Sequence, residues 1–323
     1  MNRNNKTSSI TEAAMITGIM VILALISSFI MVTTLIYPIP AIILAKRKGI
    51  KYSALAVLAA DIIISIMLGA STGFFYFVLY SPFALALAYG IYRNESANKS
   101  IMYGAAAYMV SFVILVLGMD AFMGINFVDD LRNMSMEQIR IVEQMTNSMS
   151  SLMDPEKMQE GLNSLNMYKE SMMFFINNLL PVAVISAAIV SSYINYVIAE
   201  KFANRFSINI NPRVRLSHFS FPRFFMIAMA GLLLISYLLA LLKFNVGVIQ
   251  LNLFTLVYFA MVIQGFATIK FFVEKSRLVR PTKVLVMFMV IYFALSFPGA
   301  LMLIVFAGLV DLSIDLRKLN RAV

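Results

Sequence analysis

Long apolar runs separated by short polar segments dominate the hydrophobic pattern of this chain. Several runs exceed the roughly 20 residues that an α-helix needs to cross the hydrocarbon core of a bilayer. Lipid offers no hydrogen-bond partner to an open strand edge, so runs of this kind are predicted to cross as helices. The pattern therefore predicts an all-α, polytopic transmembrane helix bundle.

The number of crossings depends on how two of the runs are divided. Residues 37–40 (Tyr-Pro-Ile-Pro) break the first run, because the residue before a proline is biased away from helical geometry. Two crossings around this break keep the basic N-terminus and the basic residues 46–51 on one side, in agreement with the positive-inside rule. The last run, 284–310, is interpreted either as one kinked helix or as two short ones. The prediction is eight to ten membrane helices, with ten preferred, and a cytoplasmic N-terminus.

The segment 126–171 differs from the apolar runs because it holds eight acidic and four basic residues. Its apolar residues Val142, Met145 and Met149 recur with helical spacing. This segment is predicted to form an extramembrane amphipathic helical hairpin on the outer face, with helices at about 135–153 and 155–171.

These elements predict three parts in a multi-pass protein of the cell membrane. Residues 1–200 would form a six-helix membrane domain that carries the hairpin as an insert. Residues 201–223, which are rich in arginine, would be a basic cytoplasmic linker. Residues 224–323 would form the C-terminal membrane helices.

Composition narrows the possible chemistry. With 61% hydrophobic and 13% charged residues, the chain lies far from the averages of soluble domains. The absence of cysteine and the single histidine argue against thiolate nucleophiles, disulfides and zinc sites. No phosphate-binding loop or hydrolase motif is present. We therefore expect no enzyme activity, no cofactor and no metal. The net charge of +10 is attributed to Lys and Arg kept in the cytoplasm, so the expected partner is the lipid bilayer and not nucleic acid.

Asp61 is the foremost candidate for a functional residue. It stands halfway along the apolar run 50–68, and a charged group near the bilayer centre costs about 3 kcal/mol on insertion scales. Such residues usually face the protein interior or a wet cavity. Asp61 is interpreted either as a ligand for a substrate, cation or proton, or as a structural acid bonded to a neighbouring helix.

Three further polar residues are predicted to line a substrate pocket with Asp61. Asp120 lies near the outer end of the helix expected at 101–125, and Asn177 and Asn178 lie near the start of the helix expected at 172–199. The alternative for the amides is hydrogen bonding between helices, which contributes about 0.6 kcal/mol on average.

Small residues at four-residue spacing mark two helix faces for close packing or partner docking. The first face carries Ala14 and Gly18, and the second carries Ala183, Ala187 and Ser191.

The first six predicted helices resemble the substrate-binding S components of energy-coupling-factor vitamin transporters. The resemblance rests on the Ala14-x-x-x-Gly18 helix, on the proline-started segment from Pro38 to the glycine of the basic turn at Gly49, and on a small-residue-rich third helix bearing Asp61. In that family the first helix docks on a transmembrane coupling partner through an Ala-x-x-x-Ala motif, which implies the same role for Ala14 and Gly18. The whole chain, including the terminal segment GLVDLSIDLRK (308–318), resembles the YybS family of bacterial membrane proteins.

The leading functional hypothesis is capture and transport of a small solute in the manner of an S component. Asp61 and the outer helix ends would line the pocket, and the hairpin 126–171 would serve as its lid. The alternative is a non-transporting scaffold that recruits a membrane protein partner through its basic loops or its hairpin.

Overall fold

A computed structural model describes residues 3–148 and 155–319 of the chain. The described residues form helices without strands, which confirms the predicted all-α class. The chain divides into two compact units at Arg213 and Val214, inside the segment 201–223 that was predicted as a linker. The tip of the predicted hairpin, residues 149–154, lies outside the described residues.

The N-terminal unit begins with three α-helices. α1 spans Arg3–Ser27, and a 3-10 helix at Met31–Ile36 leads into α2, Ile39–Lys48. Gly49, whose φ of 100° suits glycine, separates α2 from α3, Ile50–Leu68. The first helix is therefore shorter than the apolar run that predicted it, because the chain leaves α geometry at Ser27, well before the prolines.

α2 returns the chain to the end of the unit from which α1 starts. Arg47 Nη1 lies 2.9 Å from Glu12 Oε1, and Lys48 Nζ lies 3.4 Å from Glu12 Oε2. Lys48 also donates to Ser8 Oγ over 3.3 Å. The two basic clusters therefore share one end, as expected for two passes. α2 has only ten residues, about 15 Å of helix, so the return pass needs the whole of residues 31–48.

Two wide turns interrupt long helices of this unit. A π turn at Tyr76–Tyr80 separates α4, Ala70–Phe75, from α5, Ser81–Tyr92. A second π turn, Phe175–Leu179, lies between the helices Pro155–Phe174 and Leu180–Arg205. Each ends two residues before a proline, Pro82 or Pro181. Proline lacks the amide hydrogen of the regular ladder and its ring crowds the preceding turn, which accounts for the local widening.

The remaining helices of the unit include the predicted hairpin. α6 spans Ala97–Met123, α7 spans Phe127–Ser148, α8 spans Pro155–Phe174 and α9 spans Leu180–Arg205. α7 starts earlier than predicted and packs on α8. α8 continues through the π turn into α9, so that Met158–Arg205 is a single helix of 48 residues. One arm of the hairpin is thus an extension of a membrane helix and not a separate element.

The described part of the C-terminal unit contains a short 3-10 helix at Leu216–His218 and four α-helices: α10, Arg223–Leu241; α11, Gly247–Lys275; α12, Arg280–Ser296; and α13, Pro298–Ile314. α12 and α13 bend by 117° at Phe297. The last apolar run is therefore two short helices, one of the two alternatives that the sequence left open.

The described helices include seven that are long and apolar enough to cross a membrane, and counting the α12–α13 pair as one span gives eight. This number meets the lower end of the predicted range. The preferred count of ten also includes the return pass at 31–48 and counts α12 and α13 separately, and α2, α12 and α13 are each shorter than the 18 residues required of a span in this count.

Candidate functional site

Asp61 faces the interior of the N-terminal unit, where it is only 3% exposed. Tyr37 Oη donates to its Oδ1 over 3.2 Å, and Ser81 Oγ donates to its Oδ2 over 2.6 Å. α3 supplies the acid, the segment before α2 supplies the tyrosine, and the first turn of α5 supplies the serine. Three separate segments therefore converge on one carboxyl group.

Aromatic rings pack around Tyr37, one of the two donors to this carboxyl group. The ring of Tyr37 lies 4.8 Å from that of Tyr76 and 6.0 Å from that of Tyr80, centre to centre. Tyr76 and Ser27 of α1 share a hydrogen bond of 2.6 Å. The π turn 76–80 brings both Tyr76 and Tyr80 to the same side. We call Asp61, Tyr37, Ser81, Tyr76 and Tyr80 the Asp61 cluster.

The Asp61 cluster contains a carboxyl group whose two donors are neutral hydroxyl groups. Aromatic ring faces attract cations, and a carboxylate in a low-dielectric interior attracts them more strongly. The cluster is therefore chemically suited to a group that brings positive charge or hydrogen-bond donors. Within residues 3–148 and 155–319, no three Asp, Glu or His side chains converge as a metal site would require.

A second buried acid lies in the C-terminal unit and was missed in the sequence. Asp311 Oδ2 accepts from Arg317 Nε over 3.0 Å and Nη2 over 2.8 Å, and from Gln264 Nε2 over 2.7 Å. Arg317 Nη1 also donates to the carbonyl oxygen of Ser217 over 2.9 Å. This acid carries its own cation, so the network is complete without a ligand.

The signal for this network was present but ambiguous. Arg317 follows the last apolar run, where a basic residue is typical of a cytoplasmic loop, and Gln264 is a single amide within an apolar run. Asp311 stands at the end of an apolar run, where an acid is common. Only the helix end at Ile314, with Asp315 in left-handed geometry, turns Arg317 back towards Asp311.

One family of known proteins matches nearly the whole chain. The family described as "Predicted membrane protein (DUF2232)" matches residues 14–312. This chain belongs to that family. The match spans Asp61 and Asp311 and both compact units, so the two units are parts of one DUF2232 protein.

A curated relative agrees with this family. The DUF2232 chain is 24% identical over 280 residues to a Bacillus subtilis (strain 168) protein named "Uncharacterized protein YybS". The alignment covers 84% of this chain and 86% of the relative. The chain is thus a YybS-like, multi-pass membrane protein. No solved structure matches it significantly.

The other predicted pocket residues lie elsewhere than the Asp61 cluster. Asp120 is exposed near the end of α6. Asn177 is also exposed, and its Oδ1 accepts from Arg132 Nε over 2.9 Å and Nη2 over 2.7 Å. Asn178 donates to the carbonyl oxygen of Phe174 over 2.9 Å. Asn177 therefore connects the second π turn to α7. Asp61 instead bonds to α5 and to the segment before α2, so the two residues belong to different contacts.

The predicted small-residue face of α1 points away from the described chain. Ala14 and Gly18 are exposed, and no atom of another helix lies within 4 Å of where a Cβ would stand on Gly18. The packing face of α1 is instead formed by Ala13, Thr17 and Met20, which are buried. Close packing within the described chain is therefore excluded as the role of the Ala14–Gly18 face.

The close-packing face of α9 lies next to the predicted small-residue face and does not coincide with it. Ser191 is buried, whereas Ala183 is half-buried and Ala187 is exposed. The close approach occurs one residue further on, where a Cβ on Gly104 of α6 would stand 2.9 Å from Ser192 Oγ. Small residues recur on several faces of α9, so spacing alone did not distinguish them.

Proposed function

We propose that the N-terminal unit captures a small solute at the Asp61 cluster, in the manner of an S component. The observation that carries this proposal is a carboxyl group buried among membrane helices with only neutral hydroxyl donors. A charged residue at such a depth is expected to serve a function. The solute would bring positive charge or several hydrogen-bond donors, since these are what the carboxyl group and the tyrosine ring faces attract.

Binding would require the Asp61 cluster to open. Tyr37 and Ser81 now occupy both carboxyl oxygens, so the solute would replace them as donors. The π turn 76–80 directly precedes Ser81, and π turns inside α-helices often occur at functional sites. A change of this turn towards α geometry would rotate the Ser81 hydroxyl away from Asp61.

The experiment compares small molecules that co-purify with the full chain and with two variants. Asp61→Asn removes the negative charge and keeps the shape of the side chain, while Asp120→Asn makes the same change at an exposed acid. Mass spectrometry of the purified proteins should find a solute bound to the native chain and to Asp120→Asn, and lost from Asp61→Asn. A solute that remains on Asp61→Asn would contradict the proposal.

A scaffold is the second candidate, and one observation favours it. Asp61 is buried and bonded by hydroxyl groups of its own chain, which is what a purely structural acid requires. A scaffold would act through the hairpin, and Asp61→Asn would leave its partner bound. Replacing residues 134–167 by a short Gly-Ser linker, which keeps the Arg132–Asn177 contact, would release the partner in a cross-linking assay.

We further propose that the N-terminus and the basic clusters face the cytoplasm. The contacts of Arg47 and Lys48 with α1 support this orientation, because they gather cations at one end of the unit. The native chain has no cysteine, so single cysteines can report it directly. An impermeant thiol reagent added to whole cells should label Ser148→Cys and spare Lys99→Cys. The reverse pattern would refute this orientation.

A further inference from the structure

We infer that a pocket at the start of α1 binds the phosphate group of an anionic phospholipid. The pocket has a volume of about 650 Å³ and opens on the surface of the N-terminal unit. It is lined by one arginine of α2 and by five residues of α1, of which four are polar and one is apolar: Arg47, Thr7, Ser8, Thr11, Glu12 and Met15. We call it the α1 pocket. It is independent of the Asp61 cluster.

The charge around the α1 pocket favours an anion. Arg47 and Lys48 both contact Glu12, which is the one acid in the lining. These two cations and one acid leave a local net charge of +1, and Lys6 directly precedes the lining residue Thr7 in the sequence. The guanidinium of Arg47 keeps further N–H donors beyond the one on Glu12, and these suit phosphate oxygens.

The α1 pocket lies where a lipid phosphate would be. Lys6 is the first residue of the candidate span Lys6–Ser27, so the five lining residues of α1 belong to the first turns of this span. The polar lining ends at Met15, which is 65% exposed, and the exposed Ile19 and Ile22 follow on the same helix. Anionic headgroups are known to bind basic pockets beside membrane helices.

The apolar continuation favours a lipid over free phosphate. Gly18 leaves open space beside Met15 and Ile22, where an acyl chain can lie against the backbone of α1. Free phosphate would gain nothing from these apolar residues. The inferred ligand is therefore a phospholipid with a net negative headgroup. Arg47 and the hydroxyl groups of the pocket lining would bind the headgroup, and the exposed apolar residues of α1 would contact an acyl chain.

The test uses the full chain in detergent and native mass spectrometry. The protein is titrated with phosphatidylglycerol, with phosphatidylcholine of the same acyl chains, and with inorganic phosphate. The expected result is tighter binding of phosphatidylglycerol than of the other two. Equal binding of the two lipids would overturn the charge argument. Binding of inorganic phosphate as tight as that of phosphatidylglycerol would overturn the assignment to a lipid.

Three variants test whether phosphatidylglycerol binds at the α1 pocket. Arg47→Gln should weaken phosphatidylglycerol binding about fivefold, the effect expected of one cation at a membrane surface. Arg93→Gln removes an exposed cation that follows α5 and should leave binding unchanged. Thr11→Asp alters an exposed position, adds a negative charge to the lining and should weaken binding even if Arg47→Gln fails to fold. Equal affinities for Thr11→Asp and the native chain would refute the assignment.

Discussion

Arg317 and Asp311 form a buried ion pair in the C-terminal unit, with side chains that are 0% and 2% exposed. Asp61, the buried acid of the N-terminal unit, has two hydroxyl donors instead of a cation. The two acids therefore differ in the charge of their hydrogen-bond donors. Asp311 belongs to a closed network that includes its own cation, whereas the hydrogen bonds described for Asp61 bring no positive charge to it.

Breaking the Asp311–Arg317 pair should destabilise the C-terminal unit strongly. Arg317→Gln leaves the Asp311 carboxyl without its cation, and losing one partner of a buried pair costs about 3–5 kcal/mol. Thermal unfolding in detergent, followed by helical circular dichroism, measures the loss. Lys318→Gln, the exposed neighbour, is the matched control and should unfold as the native chain does. An equal melting temperature for the two variants would contradict a structural role for the pair.

Alanine should not be tolerated where α11 meets α13. A Cβ on Gly265 would overlap the backbone of Ile304, and one on Gly308 would overlap the backbone of Met261. Overpacking of this kind costs about 1–3 kcal/mol, so Gly265→Ala and Gly308→Ala should both lower the free energy of unfolding.

Gly231 of α10 provides the control for these glycines. No atom of another helix lies within 4 Å of its missing Cβ. Gly231→Ala should stabilise the protein by up to about 1 kcal/mol, because alanine favours the helix. If all three alanine variants had the same stability, the close approach of α11 and α13 would be wrong.

Removing a donor from Asp61 should destabilise the N-terminal unit. Ser81→Ala and Tyr37→Phe each leave one carboxyl oxygen unsatisfied, at a cost of about 1–3 kcal/mol. Tyr103→Phe, at a tyrosine that is 39% exposed, should have little effect. Unfolding measurements on the three variants test this. The effects of Ser81→Ala and Asp61→Asn should not add, since both remove the same interaction.

The Arg132–Asn177 contact should hold α7 against the second π turn. Arg132→Gln should raise the amide hydrogen exchange rate of residues 127–148 by about tenfold, because it removes two hydrogen bonds to Asn177, besides an ion pair with Asp129 inside α7. Arg140→Gln disrupts only an ion pair with Glu137 inside α7 and serves as the control. Identical exchange in the two variants would show that α7 is held by other contacts.

The hydropathy of the chain predicted the class of fold, because membrane helices are specified largely by the length of apolar runs. It did not predict the 3-10 helix at 31–36 or the π turns, which depend on how the backbone adjusts to prolines and neighbouring helices. It also could not show that residues 155–174 continue into α9. A polar helix and an apolar helix look separate in a hydropathy pattern even when the backbone stays helical from one to the other.

The sequence identified Asp61 because a charge inside an apolar run is conspicuous. Its donors were not identifiable, since Tyr37 lies 24 residues before it and Ser81 lies 20 residues after it. The pairing of Arg317 was not identifiable for the opposite reason. A basic residue after the last apolar run resembles a loop cation, and only the folded chain shows that it turns inward.

The 48-residue helix from Met158 to Arg205 is about 72 Å long, more than twice the thickness of the hydrocarbon core. The part that extends beyond the hydrocarbon core can act as a lever arm. A tilt of about 10° at the membrane surface would displace the tip of a 35 Å projection by about 6 Å. The far end of the same helix carries Glu200, which forms an ion pair with Arg213, so a tilt of the whole helix would also move this pair.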